Sequence, residues 1–503
     1  MTRLGARDLI ALLCDSASWH SWDSPVSDSG AGARYADDLE RARANSGVDE
    51  AVVTGCATIH GHQVAMLVGD FGFLGGSIGV AAGERLTAAI RRATAERLPL
   101  LALPTSGGTR MQEGTTAFLQ MVKITSAIVA HKARHLPYLV YLRNPTTGGV
   151  FASWGSLGHI TMAEPGALIG FLGPRVYKAL YGHDFPAGVQ TAENLYECGL
   201  VDEVAPLDEL SEVVDRVLTL LNDRVGSSPA PIPDYVLPEN ISAWESVIAS
   251  RRPDRPGVRE LLRYGADAAQ YLRGSSQGEH DPALLLALGQ FGGKACVVLG
   301  QDRSTQTPHT PLGPGALRQA RRGMRLAADL ELPLVTIIDT PGAALSRQAE
   351  ESGLAGEIAR CIASMVALEV PTVSVILGQG TGGAALALLP ADRVIAAQHG
   401  WLSPLPPEGA SAILHHDTAH AALMAAEQGV RSADLLADGI IDAVVPEYLD
   451  AATEPVAFCR RIGSALCYEL GQFSNLDTGD LLAERTARFE RLGRSNSVLA
   501  QAG

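Results

Sequence analysis

Four glycine-bearing turns hold the residues of this sequence that are best suited to chemistry. Each turn follows a short β-rich run and precedes a helical pattern. The turns are Ser106-Gly107-Gly108, Thr147-Gly148-Gly149-Val150, Thr340-Pro341-Gly342-Ala343 and Thr381-Gly382-Gly383-Ala384. Backbone N–H groups at a helix N-terminus lack an intrahelical acceptor and lie at the positive end of the helix dipole. Two such groups aimed at one point form an oxyanion hole, which is the stabilisation that a thioester carbonyl needs when it becomes an enolate.

Other candidate groups leave alternatives open. A Gly-Gly turn can be only a turn, although its occurrence in both halves of the chain favours a catalytic role. Arg110 follows an apolar run and could anchor either a phosphate or the turn itself. The pair His415-His416 could bind a metal but is more typical of a helix end, and Glu350-Glu351 is more typical of a solvated charge pair. The sequence contains no G-x-S-x-G, H-E-x-x-H or P-loop motif.

Strands that alternate with helices must position these turns. The runs LPLLALPTSGG and LPYLVYLRNPTTGG in the first half, and LPLVTIIDTPG and VPTVSVILGQGTGG in the second, have the pattern of short strands. Helical patterns such as GERLTAAIRRATAER and GEIARCIASMVALE lie between them. The alternation predicts an α/β fold.

An internal repeat relates the two halves. Pro99 and Pro137 open two strands, and the spacing between them equals the spacing between Pro333 and Pro371. The Gly pairs at positions 148 and 382 each follow the first of these prolines at the same distance, so one common offset relates all three positions. The repeat predicts two copies of one α/β domain, at 1–223 and 243–503, joined by a Pro- and Ser-rich linker at 224–242.

The composition excludes several classes of protein. The chain has 503 residues and a net charge of -15, which argues against a nucleic-acid-binding protein because phosphates require a basic surface. Its seven cysteines are scattered without a C-x-x-C spacing, so we expect neither a zinc site nor a disulfide framework. The N-terminal stretch MTRLGARDLIALLCDSASWH forms neither a signal peptide nor a membrane span. These features predict a cytoplasmic protein without a metal ion.

Several long motifs resemble the two subunits of bacterial acetyl-CoA carboxylase carboxyltransferase. In the first half FGFLGGSIGVAAGERL from Phe71, PTSGGTRMQEG from Pro104 and the long stretch from Asn144 resemble the β subunit. In the second half IDTPGA from Ile338, EESGLAGEIAR, the turn at 378–384 and PPEGASAIL resemble the α subunit. The likeness covers roughly residues 50–205 and 255–445. The chain thus resembles β and α subunits fused in one polypeptide, with β first.

The resemblance implies a fold and a set of site residues. It implies two tandem crotonase-like domains built from ββα units, with a β-like domain that binds acyl-CoA and an α-like domain that binds carboxybiotin. The residues implied to stabilise the thioester enolate are Gly107, Gly108, Gly148 and Gly149, and those implied to stabilise the biotin ureido oxygen are Gly383 and Ala384. Further substrate-binding residues implied by the matching motifs are Gly75, Gly76, Ser106, Arg110, Val150, Gly342 and Gly382.

The resemblance also implies a reaction and partners. In this family the carboxyl group moves from carboxybiotin to acetyl-CoA to give malonyl-CoA, and the biotin nitrogen takes the α-proton. The chain has no biotin-attachment motif, so we expect a separate biotin carboxyl carrier protein and a separate biotin carboxylase. Because the family site forms between the β-like domain of one protomer and the α-like domain of another, we expect a homodimer or a larger homo-oligomer.

The sequence departs from the family pattern at several positions. The four-cysteine zinc ribbon that usually begins the β subunit is absent, so no metal is predicted. After IDTPGA the family's Tyr-Pro-Gly is replaced by Ala344-Leu345-Ser346. Two alternative functions therefore stay open, a malonyl-thioester decarboxylase and a non-catalytic scaffold that binds CoA. Dependence on a biotin carrier would distinguish the transferase from the decarboxylase.

Overall fold

The chain divides into two compact units, Met1–Thr219 and Leu220–Gly503. The computed structural model describes residues 3–26, 32–222, 231–235, 241–473 and 478–492. Of the predicted linker, the parts 224–230 and 236–240 lie outside the described residues. The domain bounds that we derived from the sequence therefore stay a prediction.

The first unit contains a seven-stranded sheet flanked by helices. Its strands are β1 (His20–Ser21), β2 (Val52–Ile59), β3 (His62–Gly69), β4 (Leu100–Leu103), β5 (Tyr138–Leu142), β6 (Thr146–Thr147), β7 (Ile160–Ala163), β8 (Ile169–Gly170) and β9 (Glu203–Val204). The helices are α1 (Ala6–Leu13), α2 (Ala33–Ser46), α3 (Val80–Ala95), α4 (Gly114–Lys132), α5 (Gly148–Phe151), α6 (Pro174–Tyr181), α7 (Ala192–Glu197) and α8 (Leu210–Asn222). The sheet order is β1-β2-β3-β4-β5-β7-β9, and the short strands β6 and β8 pair with each other.

The second unit has the same arrangement. Its strands are β10 (Ala268–Leu272), β11 (Leu284–Phe291), β12 (Lys294–Gln301), β13 (Leu334–Thr340), β14 (Thr372–Thr381), β15 (Arg393–Ala397), β16 (Trp401–Ser403) and β17 (Ala443–Val445). The helices are α9 (Ala243–Ser250), α10 (Val258–Gly265), α11 (Pro314–Leu330), α12 (Arg347–Glu351), α13 (Leu354–Val366), α14 (Gly382–Leu386), α15 (Pro407–Leu414), α16 (Ala421–Glu427), α17 (Ser432–Ala437), α18 (Pro455–Gln472) and α19 (Thr478–Arg491). The sheet order is β10-β11-β12-β13-β14-β15-β17, and β16 pairs with β14.

The two sheets repeat one topology. In each, the first three strands are antiparallel and the later strands are parallel. The helices α3 and α11 begin at Val80 and Pro314, and the same offset in sequence separates the starts of α5 and α14, at Gly148 and Gly382. The structure therefore confirms the α/β class and the repeat that the sequence predicts.

The central strands are buried on both faces. All five residues of β5 and all seven of β13 are buried. Parallel strands covered by helices on both sides read as continuous apolar runs, which is the pattern of YLVYL and LVTII. Helix α3 packs through small and aliphatic residues at helical spacing, including Ala82, Leu86 and Ile90. Burial at this depth holds the strand ends, and therefore the turns that follow them, in fixed places.

Two further findings concern membrane-spanning helices and clusters of metal ligands. Within the described ranges, no helix has the length and apolar character needed to cross a membrane. Across the same part of the chain, no three His, Cys, Asp or Glu side chains come together as metal ligands. All seven cysteines are free thiols.

Candidate active-site turns

Three turns of the first unit meet at the carboxyl ends of β3, β4 and β5. The Gly107 N–H donates to the Gly75 carbonyl at 2.9 Å, and the Thr147 N–H donates to the Ser106 carbonyl at 3.0 Å. A Cβ atom on Gly148 would lie 3.4 Å from the Gly108 Cα. The structure thus brings together the glycines that the sequence singled out in this half.

Glycine is required at two of these positions. Gly76 has φ 66°, and a Cβ atom there would lie 2.1 Å from the Thr105 carbonyl oxygen. Gly148 has φ 63°, a left-handed conformation that residues with a side chain rarely adopt. These turns can therefore pass close to one another, and to a ligand, only because they lack side chains.

A hydroxyl group closes the first turn of each unit in the same way. The Gly108 N–H donates to Ser106 Oγ at 2.9 Å, and Ser106 Oγ donates to the Gly108 carbonyl at 3.2 Å. In the second unit the Gly342 N–H donates to Thr340 Oγ1 at 3.1 Å, and that hydroxyl lies 3.2 Å from the Gly342 carbonyl. Ser106, which the family motif implied to bind substrate, contacts its own turn in this structure.

Among the described turn residues of the first unit, two unpaired N–H donors lie at the start of α5. The two glycines of the first turn already donate within the protein, and the Gly148 N–H donates to the Phe171 carbonyl at 3.1 Å. The N–H groups of Gly149 and Val150 belong to the first helical turn and have no acceptor among the described residues. These two groups are therefore unpaired donors that remain available for a hydrogen bond. A donor role for Gly107, Gly108 or Gly148 stays a prediction. It requires each N–H group to leave its present acceptor within the protein and bind the substrate oxygen instead.

The second unit offers the equivalent pair at the start of α14. A Cβ atom on Gly382, with φ 65°, would lie 3.3 Å from the Pro404 carbonyl oxygen. A Cβ atom on Gly342 would lie 3.8 Å from a methyl group of Thr381, so the two turns adjoin here as well. In the part of this unit that the structure describes, the N–H groups of Gly383 and Ala384 have no hydrogen-bond acceptor.

The buried side chain of Arg110 holds the backbone around the first turn in place. Its side chain is 1% exposed and forms an ion pair with Glu50, with Nη1 and Oε2 2.9 Å apart. Its Nη2 also donates to the Ser77 carbonyl at 2.7 Å. Burial alone would lower the pKa of Arg110, but the Glu50 carboxylate raises it above its ordinary value. Of the two roles that the sequence left open, these contacts support the turn anchor, because a phosphate would need an accessible guanidinium.

Glu113 supports the elements around the turns, and the sequence did not single it out. Its Oε2 accepts the Val80 N–H at 2.5 Å at the start of α3, and its Oε1 accepts the hydroxyl proton of Tyr35. Burial and this hydrogen bond raise the pKa of Tyr35 to about 12. Glu113 thereby fixes the start of α3 beside the turns. The only signal in the sequence is its place three residues after Arg110, within PTSGGTRMQEG.

The His and Glu pairs make local contacts. The His415 ring stacks on His420, with ring centroids 4.3 Å apart, just after α15 ends. His420 Nδ1 contacts Asp417 Oδ1 at 2.8 Å. Glu351 forms an exposed ion pair with Arg347. These contacts match the helix-end and solvated-charge interpretations that the sequence favoured.

Comparison with known proteins identifies the family. The carboxyl transferase domain family matches residues 3–472. A relative from Mycobacterium tuberculosis, the "Probable biotin-dependent acyl-coenzyme A carboxylase beta3 subunit", is 58% identical over 98% of this chain and 99% of its own length. The "Acetyl-coenzyme A carboxylase carboxyl transferase subunits beta/alpha" of Salinispora arenicola is 39% identical over 92% of this chain and 85% of its own.

Solved structures support the fold. The transcarboxylase 12S hexamer, solved with methylmalonyl-coenzyme A and methylmalonic acid bound, matches with a TM-score of 0.71 and 22% identity over 92% of this chain and 89% of its own. A single-chain, multi-domain long-chain acyl-CoA carboxylase matches with a TM-score of 0.72 and 19% identity over 93% of this chain and 46% of its own. These likenesses confirm the crotonase-like fold. The chain therefore belongs to the carboxyl transferase domain family, with a β-like and an α-like half fused in one polypeptide.

Proposed function

We propose that this carboxyltransferase is a component of a biotin-dependent acyl-CoA carboxylase and moves a carboxyl group from carboxybiotin to acetyl-CoA to give malonyl-CoA. The observation that carries the proposal is the pair of free N–H groups that each unit holds at the start of α5 or α14. The reaction develops negative charge on two oxygens, that of the thioester carbonyl and that of the biotin ureido group. Two equivalent oxyanion holes match two such oxygens.

In the first unit, which is the β-like half, the thioester oxygen would bind at the start of α5. The Gly149 and Val150 N–H groups donate to it as the α-carbon loses its proton and the oxygen gains negative charge. Gly148 and Gly108 lie with their Cα atoms close together, so that backbone alone lines this part of the turn. Val150 is buried, and the Thr147 N–H just before α5 donates to the Ser106 carbonyl, so the donors are held in place before the charge develops.

In the second unit, which is the α-like half, the chemistry of the donors fits a ureido oxygen. Gly383 and Ala384 present N–H groups and no competing acceptor, and the Ala384 side chain is only a buried methyl group. When bound, carboxybiotin supplies the carboxyl group and a nitrogen that can take the α-proton. The residues of this unit would hold the ureido oxygen and orient the ring. A separate carrier protein and a biotin carboxylase would deliver the group, since the chain has no biotin-attachment motif.

Acetyl-CoA is the acyl substrate that we propose. The second half resembles a separate α subunit, and the Salinispora relative is named for acetyl-coenzyme A. The Mycobacterium relative is named for an acyl-coenzyme A, a broader class. The rates with acetyl-CoA must therefore be compared with those of substrates that have longer acyl chains.

We also propose a homodimer or a larger homo-oligomer. Each unit exposes a large apolar residue shortly after its first turn, Met111 at 83% and Leu345 at 96%. Each unit also exposes apolar residues at the end of the helix that follows β8 or β16, namely Leu180 at 69% and Ile413 at 63%. Exposed apolar surface around a site favours a protein partner. The transcarboxylase 12S structure, which has this fold, is a hexamer.

The reverse reaction tests the proposed function. Purified chain would be mixed with malonyl-CoA and free biocytin, and acetyl-CoA formation would be followed with and without biocytin. Methylmalonyl-CoA and a malonyl-CoA analogue with a longer acyl branch would be run in parallel. Formation of acetyl-CoA that depends on biocytin is the expected result.

Each other outcome has a distinct meaning. Acetyl-CoA formation at the same rate without biocytin would indicate a decarboxylase. Biocytin-dependent reaction of methylmalonyl-CoA in preference to malonyl-CoA would replace acetyl-CoA by a larger acyl group. Binding of CoA thioesters without any turnover would indicate the scaffold function instead.

A further inference from the structure

One buried glutamine joins both turns of the α-like unit. Gln301 is the last residue of β12, and its side chain is 0% exposed. Its Oε1 accepts the Asp339 N–H at 3.1 Å, next to the turn that begins at Thr340. Its Nε2 donates to the Ala384 carbonyl at 2.8 Å, in the first turn of α14. A single side chain therefore connects the end of β13 to the helix whose N–H groups would bind the biotin oxygen.

A second glutamine completes the support of the β13 end. Gln306 Nε2 donates to the Asp339 carbonyl at 3.1 Å, and Gln306 Oε1 accepts the Thr340 hydroxyl proton at 2.6 Å. The Asp339 carboxylate pairs with Arg303 at 3.2 Å. The peptide groups on both sides of Asp339 are thus held by glutamines, and of these two Gln301 is the one that reaches on to α14.

The β-like unit joins its two turns differently, because Thr147 Oγ1 in the second turn donates to the Ser106 carbonyl in the first at 3.2 Å. Gly69, the last residue of β3, is the counterpart of Gln301, since both end the second strand of an equivalent antiparallel pair. A Cβ atom on Gly69 would lie 2.9 Å from the Thr105 nitrogen, so no side chain fits there. Arg143 instead donates to the Gly69 carbonyl at 2.8 Å. The repeat therefore shares its backbone, but the α-like unit alone uses a side chain at this position to tie its two turns together.

We infer that Gln301 is a positioning residue that sets the direction of the Gly383 and Ala384 N–H groups. The inference rests on the proposed function, because it concerns the turn assigned to carboxybiotin. Helix α14 has five residues, so it has little stability of its own and takes its place from tertiary contacts. Without Gln301 the buried Ala384 carbonyl and Asp339 N–H lose their partners, and the short helix shifts to find others.

Two substitutions separate positioning from general stability. Gln301→Met keeps the volume and removes both hydrogen bonds. Gln301→Glu keeps the acceptor for the Asp339 N–H, and it can donate to the Ala384 carbonyl only while its carboxyl group is protonated. The assay is biocytin-dependent formation of acetyl-CoA from malonyl-CoA at pH values from 6 to 9.

We expect opposite pH behaviour from the two variants. Gln301→Met should lower kcat by about 10- to 100-fold at every pH, since a misplacement of about 1 Å costs about that factor. Its KM for malonyl-CoA should not change, because that substrate is assigned to the other unit. Gln301→Glu should approach wild-type turnover at the lowest pH and lose it as the pH rises. A merely structural role would not give a pH profile of this kind.

Gln319 provides the matched control. It is 1% exposed in the same unit, and its Nε2 donates to the Leu284 carbonyl at 2.8 Å on the strand beside Gln301, whereas none of its described hydrogen bonds reaches either turn. Gln319→Met and Gln319→Glu should lower Tm by amounts similar to those of the Gln301 variants. Their turnover should depend on pH in the same way as that of the wild type. Equal kinetics for the Gln301 and Gln319 variants would overturn the inference. Wild-type protein that does not require biocytin would instead overturn the proposed function.

Discussion

Removal of the Gly149 N–H is the perturbation that most directly probes the oxyanion hole of the β-like unit. Gly149 is the second residue of α5, and its φ is not in the left-handed region, so proline is compatible with its backbone. The helix does not use an N–H group at this position. A new Cβ atom would meet Thr109 Oγ1 at 3.3 Å and Met121 Cγ at 3.4 Å, two side-chain atoms that can move by tenths of an ångström. Gly149→Pro therefore deletes the donor and leaves the fold in place.

The expected loss is that of one oxyanion-hole donor. Such a loss costs about 10²–10³ in kcat, or about 2.7–4 kcal/mol. Gly149→Ala is the matched control, since it adds the same Cβ atom and keeps the N–H group. The shift of a few tenths of an ångström that this Cβ requires should cost less than about tenfold, because about 100-fold accompanies a displacement of about 1 Å.

The assay is biocytin-dependent conversion of malonyl-CoA, with Tm measured for both variants. We expect Gly149→Pro to lose turnover while Gly149→Ala keeps most of it, at similar Tm values. Equal turnover of the two variants in folded protein would show that the N–H group makes no contribution to catalysis and that the turn is structural.

Three further predictions concern stability. Gly76→Ala would place a Cβ atom 2.1 Å from the Thr105 carbonyl oxygen at positive φ, so we expect urea unfolding to show a loss of at least about 2 kcal/mol. Arg110→Met leaves the Glu50 carboxylate buried and unpaired, so the free energy of unfolding should fall by about 3–5 kcal/mol; weaker CoA binding at unchanged stability would restore the phosphate role. Burial lowers the pKa of His131 to about 4. The neutral imidazole therefore contributes to stability above the unfolded pKa of about 6.5. This contribution, up to about 3 kcal/mol, is lost as the pH falls from about 6.5 towards 4. His131→Gln should flatten this part of the stability profile, and an unchanged slope would contradict the assignment.

The repeat and the turns could be predicted from the sequence because they depend on local patterns. Two prolines that open strands and one later Gly pair in each half define one offset, and the structure confirms the same offset between α3 and α11. Glycines that adopt positive φ, such as Gly148 and Gly382, stood out for the same reason. Local sequence carries this information because strand burial and turn conformation are local properties.

The partners of the turn residues could not be predicted, because they depend on tertiary register. The N–H groups of Gly107 and Gly148 are engaged by carbonyls that are distant in sequence, those of Gly75 and Phe171. The role of Arg110 follows from its burial, which the apolar run before it did not reveal. Gln301 reaches across a still longer stretch of sequence to Ala384. Contacts of this kind appear only once neighbouring strands are aligned in the sheet.

Transfer of a labelled carboxyl group to biocytin distinguishes a carboxyltransferase from a decarboxylase. Malonyl-CoA labelled in its free carboxyl group would be incubated with the chain and biocytin, and the label on biocytin would be measured together with the acetyl-CoA formed. The two oxyanion holes predict labelled carboxybiocytin and acetyl-CoA in equal amounts. Release of all label as CO2, at a rate that biocytin does not change, would contradict the account.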